Sequence, residues 1–386
     1  MLALEVSLAV VVLGGAASAL VLHLSLASAH KALPSGALPS RTLPSRTLPS
    51  RTLPSRTPPS GVGAAETGAA DATQIPGDCA TVPHACGFPD GTNTGVPGGT
   101  ALRSVPGQVS SGPGWHFDAK GGYVVVTARG TVLTDLSIPC DLVIDASDVT
   151  VKNVRVVTGG YFGISLRHTT DVTIEDSTIS GQNLTSGRVN SAIDDVYGDS
   201  TGIVIEDNNI SRFRTGVQVS AGLIADNYIH NPGYIHGDHT NGIYVGGTTK
   251  PLMIYGNTIF NDLGQTDDIN LDASHSKQDV ANKTVVDNLL AGGGYSIYGG
   301  GARHDRTSNI VIEYNEFGRL YYPKGGRYGP VAYFNLRQAG NVWSGNVWSG
   351  TSMSGDALRG RLLPVTVLTG IPRSGARPGS AATAAV

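Results

Sequence analysis

The sequence has few charged residues and few large apolar side chains. Only 15% of its 386 residues are Asp, Glu, Lys or Arg, and the formal net charge is −3. Nucleic-acid partners usually require a basic footprint, so this balance argues against one. The sequence has only 3 Met and 7 Phe but 52 Gly. This composition favours many tight turns and small coils that leave no room for large side chains. No long stretch has a helical period, which leaves strands and turns.

Cysteine is also scarce, and the spacing of the three residues matches no zinc site. Cys79 and Cys86 lie close together, flanked by Pro and Gly, and we expect them to form a disulfide loop in an oxidising compartment. Cys140 lies within the apolar run 136–144. It is predicted to be a small buried residue of an early coil.

An asparagine recurs two residues before the apolar residue that ends a short β-like run. The intervals are 19, 30, 31, 27 and 31 residues, which is typical of a repeat protein with variable insertions. Side-chain amides at one point of every coil can stack and satisfy the turn backbone. The six residues are Asn208, Asn227, Asn257, Asn288, Asn315 and Asn346.

Apolar residues alternate with polar ones in the same runs and in two runs further upstream. A period of two puts the apolar set on one face of each strand, which in a solenoid points into the coil. The sequence therefore predicts an all-β fold, a single right-handed parallel β-helix over residues 120–350. The expected inward residues include Val149, Val151, Val172, Ile174, Ile203, Ile205, Ile310 and Ile312.

The flanking segments differ in composition. The apolar run 7–29 is long enough to cross a bilayer, and we interpret it as a secretory signal ending at 27–29 or as an uncleaved anchor. No basic residue precedes this run, yet we favour export to the extracellular side. Residues 30–77 form a Pro-, Ser-, Arg- and Thr-rich linker and 78–119 lead into the solenoid, while 351–386 are expected to be a disordered tail.

The block 86–97, the run 144–156 and the asparagine-marked coils resemble secreted actinobacterial proteins of the right-handed parallel β-helix, pectin-lyase-like superfamily. The resemblance implies the fold, but the superfamily includes lyases, hydrolases, epimerases and tail spikes. Of the four polygalacturonan-hydrolase motifs, only Asp267-Asp268 has a counterpart here. The Arg-x-Pro-x-x-Arg element of calcium-dependent pectate lyases is replaced by 303–306, which lacks proline. The resemblance therefore assigns neither polygalacturonan hydrolysis nor calcium-dependent pectate lysis to this chain.

A second strand precedes the asparagine strand in each coil. We align Ile193, Val217, Ile243, Ile269 and Ile297 as its inward residues. Strict alternation then makes their neighbours on both sides outward, with successive coils about 4.8 Å apart. One predicted outward row is Ala192, Gly216, Gly242, Asp268 and Ser296. Another is Asp194, Gln218, Tyr244, Asn270 and Tyr298, which has the mixture of aromatics, amides and carboxylates found on sugar-binding surfaces.

Acidic residues concentrate in the segment 267–272. Asp268, Asn270 and Asp272 would share one strand face, with alternate residues about 6.5–7 Å apart. That separation suits an inverting acid/base pair. It also suits a hard cation such as calcium, held by Asp267, Asp268 and Asp272. The alternative is an outward polar face on a solvated strand.

Three further residues complete the predicted site. His239 is the best general-base candidate, because imidazole titrates near neutrality. Arg303 could neutralise a uronate or act as a lyase base, and His304 is a further sugar-contact candidate. We therefore expect a secreted or surface-tethered enzyme that acts on a polysaccharide by lyase or hydrolase chemistry.

The alternative function is a non-catalytic glycan-binding or structural wall module. The sequence requires no cofactor, although calcium fits its acidic residues. We expect a monomer with a polysaccharide partner, no nucleic acid, and membrane contact only through the amino-terminal segment.

Overall fold

The structure, a computed structural model, describes residues 77–182, 189–271, 279–301 and 306–350. Within these ranges the chain is all β, apart from two short 3-10 helices at Cys79–Thr81 and Pro83–Cys86. None of its described helices is long and apolar enough to cross a membrane. The predicted signal or anchor at 1–29, the linker and the tail at 351–386 lie outside the described residues, apart from linker residue 77.

Thirty short strands make up the described chain. In chain order they are β1 (Arg103–Ser104), β2 (Ser111–Gly112), β3 (Trp115–Asp118), β4 (Tyr123–Val126), β5 (Val132–Thr134), β6 (Leu136–Ile138), β7 (Leu142–Ile144), β8 (Val149–Lys152), β9 (Arg155–Thr158), β10 (Phe162–Leu166), β11 (Val172–Glu175), β12 (Thr178–Gly181), β13 (Val189–Asp195), β14 (Val204–Glu206), β15 (Asn209–Ser211), β16 (Phe213–Gln218), β17 (Gly222–Ala225), β18 (Tyr228–His230), β19 (Asn241–Tyr244), β20 (Leu252–Tyr255), β21 (Thr258–Asn261), β22 (Asp267–Asn270), β23 (Val280–Val286), β24 (Leu289–Gly292), β25 (Tyr295–Tyr298), β26 (Thr307–Glu313), β27 (Glu316–Phe317), β28 (Gly329–Ala332), β29 (Val342–Ser344) and β30 (Val347–Trp348).

The strands form three sheets that run the length of a solenoid, and each regular coil gives one strand to each sheet. Sheet A has the order β1-β6-β9-β12-β15-β18-β21-β24-β27-β30, and sheet C has the order β5-β8-β11-β14-β17-β20-β23-β26-β29. Sheet B has the order β2-β3-β4-β7-β10-β13-β16-β19-β22-β25-β28, in which β2-β3-β4 pair antiparallel. All other strand pairs in these sheets are parallel, which confirms the predicted all-β parallel β-helix.

The core is a set of aligned apolar columns. In sheet C, Val149 pairs with Val172 and Val151 with Ile174, and all four are buried. In sheet B the predicted inward column, from Ile193 to Ile297, is in register and fully buried. Alternation thus predicts the inward residues wherever the strand keeps a period of two. Cys140 departs from expectation, because it is only half-buried where the chain passes from β6 to β7.

The six asparagines form one continuous ladder, as predicted. The Oδ1 of each residue from Asn227 to Asn346 accepts the N–H and the Nδ2 of the asparagine one coil earlier, at 2.9–3.1 Å. Ser177 extends the ladder upstream, since its N–H donates to Asn208 and its Oγ accepts the N–H of Val154. All six asparagines are buried, so the ladder satisfies turn backbone that water cannot reach.

The residue before each ladder asparagine adopts a left-handed conformation. Asp, Asn and Gly tolerate positive φ better than other residues, which explains why Asp-Asn and Gly-Asn recur at this turn. The six residues are Asp207, Asp226, Gly256, Asp287, Tyr314 and Gly345, with φ between 52° and 66°.

Residues 78–97, which we call the strap, cross the outside of sheet A. At one end the N–H of Cys79 donates to Ser349 of the last coil, and at the other the N–H of Val96 donates to Thr178. A disulfide joins Cys79 and Cys86. Strap residues pack on outward apolar side chains of sheet A. This cluster contains Cys79, Ala80, Cys86, Phe88, Phe260, Leu289 and Ala291.

Candidate functional site

The outer face of sheet B carries a row of polar and aromatic side chains that we call the polar column. Strand register aligns its five members, one from each of five successive strands, and Ala332 of β28 follows. At about 4.8 Å per strand the column is about 19 Å long. Its members are Asp194, Gln218, Tyr244, Asn270 and Tyr298. Their register is as predicted from the sequence, but Asp194 and Asn270 are buried, at 2% and 7% exposure, and do not face solvent as expected.

Asp268 does not belong to this outer face, contrary to our prediction. Its side chain is fully buried, and its row points into the corner between sheets A and B. A Cβ added to Gly242, one strand earlier in that row, would lie 2.3 Å from Cγ2 of the core residue Ile259. Strand β22 therefore turns two consecutive residues inward, Asp268 and Ile269, and strict alternation fails at this point.

The hydrogen bonds of β22 agree with this reading. The Nδ2 of Asn270 donates to Oδ2 of Asp267 at 2.7 Å, so residues three apart share the outer side. Nδ2 of Asn270 also donates to Oδ1 of Asn241 on the neighbouring strand at 3.3 Å. The small size of the other members of the Asp268 row was the signal in the sequence for an inward corner. They are Ala192, Gly216, Gly242 and Ser296.

The interior position changes the chemistry of Asp268. Burial raises the pKa of its carboxyl well above the usual range, and the nearby Ser296 hydroxyl and Asn261 N–H oppose this only in part. Neither carboxyl oxygen makes a hydrogen bond of normal geometry within the described chain. Asp268 is therefore an interior carboxyl whose burial favours its neutral form, and not a solvent-facing general acid.

The structure describes two of the three predicted calcium ligands, Asp267 and Asp268, and places them on opposite sides of β22. Asp267 lies on the outer side of β22 and Asp268 on the inner side, while Asp272 lies outside the described residues. Among the residues that the structure describes, no three His, Cys, Asp or Glu side chains could hold a metal ion. Asp267 and Asp268 are separated because β22 turns two consecutive residues, Asp268 and Ile269, inward.

Four tyrosines cluster at one end of the polar column. The ring of Tyr298 stacks on Tyr333 at 5.5 Å between centroids, and Tyr295 lies 5.6 Å from Tyr298 and 5.8 Å from Tyr328. Arg327 places its guanidinium 5.5 Å from the Tyr328 ring centre. Tyr328 is 58% exposed and the other three rings are half-buried, so the cluster presents aromatic surface to solvent.

Sequence reasoning found only one member of this tyrosine cluster, Tyr298. Tyr295 repeats the spacing of Asp267 and Asn270, because it lies three residues before a column member on the next strand. Tyr328 and Tyr333 flank β28 and join the cluster through the fold. The spacing of three in β25 was the available signal for Tyr295.

Asp194 lies at the other end of the column and is 2% exposed. Burial and the nearby Asp195 charge raise its pKa to about 6, although a hydrogen bond with Ser191 and the charge of Arg214 oppose the shift. The adjacent Asp195 is held differently, because its carboxylate accepts the Ser200 Oγ at 2.7 Å. Asp194 is therefore a carboxyl that changes protonation near neutral pH.

The remaining predicted residues lie at the margin or beyond the description. His239 is exposed in the loop before β19, and its carbonyl accepts Nδ2 of Asn241 at 3.3 Å. Asn241 in turn accepts a hydrogen bond from Asn270, so it connects the His239 backbone to the outer side of β22. Arg303 and His304 lie outside the described residues, so their relation to the column stays a prediction.

No protein-family model matches the chain, and no curated protein matches its sequence. The structure shows the architecture of the chain, which is an all-β parallel solenoid with an asparagine ladder.

Proposed function

We propose that the outer face of sheet B binds a polysaccharide that lies along the polar column. The observation that carries this is the tyrosine cluster at one end of a row of amides and carboxyls. Aromatic faces pack on the apolar faces of sugar rings, while fixed polar groups bond to hydroxyls. A column about 19 Å long offers such contacts to several successive sugar units.

The resemblance to the pectin-lyase-like superfamily supports the same class of ligand. The predicted export signal and proline-rich linker suit a protein that meets polysaccharide outside the cell. Location on the cell surface therefore forms part of the proposal.

A glycan panel with matched tyrosine variants tests the binding proposal. Tyr298→Ala should weaken binding of the best glycan about tenfold or more, because central aromatic contacts dominate such interfaces. Tyr314→Ala is the control, since Tyr314 is an exposed tyrosine that follows β26 of sheet C and lies outside the polar column. Equal affinities for both variants, or no binding by the wild type, would overturn the proposal.

Cleavage of the bound polysaccharide is the second candidate function, and Asp194 favours it. A carboxyl with a pKa of about 6 can serve as a general acid near neutral pH. Its place in the polar column would bring it to the proposed ligand. Asp268 no longer suits this role, because it faces the interior.

The cleavage candidate predicts product from the wild type, assayed with and without added calcium. New reducing ends would indicate hydrolysis, and an unsaturated product absorbing in the ultraviolet would indicate lyase chemistry. Asp194→Asn should then lower turnover about a hundredfold, and wild-type turnover should fall above pH 6 as the acid ionises. If the wild type binds glycan without forming product, glycan binding is the only proposed function that remains.

A further inference from the structure

An aromatic pair lies beside the Asp194 end of the polar column. Tyr197 comes two residues after β13 and His168 two residues after β10, and their rings stack at 4.0 Å between centroids with 8° between their planes. Ser165 of β10 is in register with Asp194 of β13, so each ring comes three residues after the line of the column. The pair therefore lies within about 10 Å of the column along the strand direction, at the edge where the chain leaves sheet B for sheet C.

The Tyr197 ring is open to solvent on the side away from His168. Tyr197 is 56% exposed although the imidazole covers one face of its ring, and no third ring among the described residues packs on the other face. Tyrosine supplies a large, rigid contact surface at a low cost in conformational entropy, which is why it is common where proteins bind partners. The open face therefore offers a flat apolar surface on which one sugar ring can pack.

Polar contacts fix the imidazole behind this ring. Nδ1 of His168 and Oδ2 of Asp199 lie 2.6 Å apart. Nζ of Lys250, which belongs to a coil further along the solenoid, donates to the carbonyl of Asp199 at 3.1 Å. Because the carboxylate engages Nδ1, Nε2 is the ring nitrogen of His168 that remains for a hydroxyl of a ligand. The His168 side chain is 61% exposed, so a ligand can reach this nitrogen.

The turn that carries Tyr197 is fixed from its inner side as well. The carboxylate of Asp195 accepts Oγ of Ser200 at 2.7 Å and the N–H of Ser200 at 3.2 Å. The N–H of Thr169 in turn donates to Oγ of Ser200 at 3.3 Å. These bonds join the turn after β13 to the turn after β10, so both rings are positioned without a ligand. A preformed surface of this kind loses little conformational entropy when it binds.

We propose that the open face of Tyr197, with Nε2 of His168 beside it, is a second sugar subsite for the polysaccharide. This inference rests on the proposed function and extends it, because the tyrosine cluster lies at the Tyr298 end of the polar column and the aromatic pair at the Asp194 end. About 19 Å along the column and about 10 Å along the strands separate the two aromatic surfaces by about 21 Å. One sugar ring does not span that distance, so the ligand is a chain of several units that crosses sheet B obliquely.

Oligosaccharides of increasing length, prepared from the glycan that binds best, test this subsite in the full chain. Oligosaccharides too short to reach both aromatic surfaces should bind the wild type and Tyr197→Ala equally, because the four-ring cluster holds them. Once the chain spans both surfaces, wild-type affinity should rise about tenfold, and Tyr197→Ala should lose this rise. Tyr314→Ala is the matched control, since Tyr314 is 58% exposed but lies beside sheet C.

Nuclear magnetic resonance gives a second readout that does not depend on affinity. The imidazole signals of His168, assigned by their loss in His168→Phe, should shift when the longer oligosaccharides are added and stay unchanged with the shorter ones.

The same length series separates failure of the subsite from failure of the proposed function. If Tyr197→Ala matches Tyr314→Ala at every length while Tyr298→Ala binds more weakly, the subsite is wrong and glycan binding along the column stands. If Tyr298→Ala also matches Tyr314→Ala, or the wild type binds no glycan, both proposals are wrong. His168 signals that stay unchanged with every bound oligosaccharide would likewise overturn the subsite.

Discussion

Asp268 and Lys283 are ionisable side chains inside the solenoid, and burial shifts both toward their neutral forms. Asp268 is the first, in the corner between sheets A and B. Lys283 is the second, in the sheet C column between Leu252 and Ile310, with its ammonium donating to the carbonyls of Ser220 and Lys250. Burial and the Lys250 charge lower the pKa of Lys283 to about 8.

Lys283→Met should stabilise the protein at pH 7 by about 1 to 3 kcal/mol. Each unit of pKa shift is worth about 1.4 kcal/mol, and an apolar side chain of similar length avoids burying the charge. The gain is partial, because the two carbonyls lose their donor. Urea unfolding of both proteins at pH 7 measures it, with the exposed Lys120→Met as control.

The pH dependence of Lys283 has a definite sign. Below pH 8 the folded and unfolded states both hold the proton, and the full cost of the buried ammonium is present. Between about pH 8 and 10.5 only the unfolded state keeps it, so wild-type stability relative to Lys283→Met rises with pH. A stability difference that stays constant from pH 7 to pH 10 would contradict the lowered pKa.

At the scale of elements, the asparagine ladder is the repeated device that holds the turns between sheets C and A. Asn257 shows the full pattern: its oxygen accepts two bonds from Asn227, and its Nδ2 donates to Ile224, Tyr255 and Asn288. Every partner is a backbone carbonyl near the turn or another asparagine of the ladder. Loss of one member therefore leaves several buried backbone groups without a partner.

Asn257→Ala should destabilise the solenoid by about 3 kcal/mol, since each buried unsatisfied polar group costs about 1–3 kcal/mol. Asn257→Ser should cost less, because Ser177 fills the equivalent place one coil before Asn208. Thermal and urea unfolding of the two variants measure the contrast. If alanine and serine were equally destabilising, the ladder hydrogen bonds would not be the source of the stability.

The two consecutive inward residues of β22 and β25 are a second feature at this scale. They separate Asp267 from Asp268 and bring Tyr295 beside Tyr298. The same local geometry thus removes an expected carboxylate from the outer face and adds an aromatic ring to it.

At the scale of the whole molecule, the strap ties distant coils together. It bonds to Ser349 in the last coil and to Thr178 many coils earlier, and its own Phe88 is buried against sheet A. Together with Tyr321, the strap covers apolar side chains such as Phe260 on the outside of sheet A. The strap therefore couples the carboxyl-terminal end to the middle of the solenoid.

The variant Cys79→Ser/Cys86→Ser should lower stability by about 2 kcal/mol, the value expected for a short disulfide loop. Hydrogen exchange should rise in the strap and in β24 beneath it, but not in β8 or β11 of sheet C. Cys140→Ser is the control, because this thiol is unbonded and half-buried. An even rise of exchange along the whole solenoid would argue against a local role for the disulfide.

The sequence by itself determined the repeating features of this protein. Asparagine intervals and period-two alternation predicted the parallel solenoid, the ladder and the register of the polar column, because each coil repeats one local pattern and contacts only its neighbours. The outward direction that strict alternation predicted for Asp268 was wrong, although the small residues of its row carried the opposite signal.

Only the tertiary structure decided what lies where coils bend or where distant segments meet. Whether β22 turns one or two residues inward depends on how closely Ile259 of sheet A approaches the corner, a distance that the small residues of the row permit but do not fix. Tyr328 and Tyr333 reach Tyr295 and Tyr298 by stacking of successive coils. The strap has no period at all, so its place on sheet A depended on apolar burial against side chains from other coils.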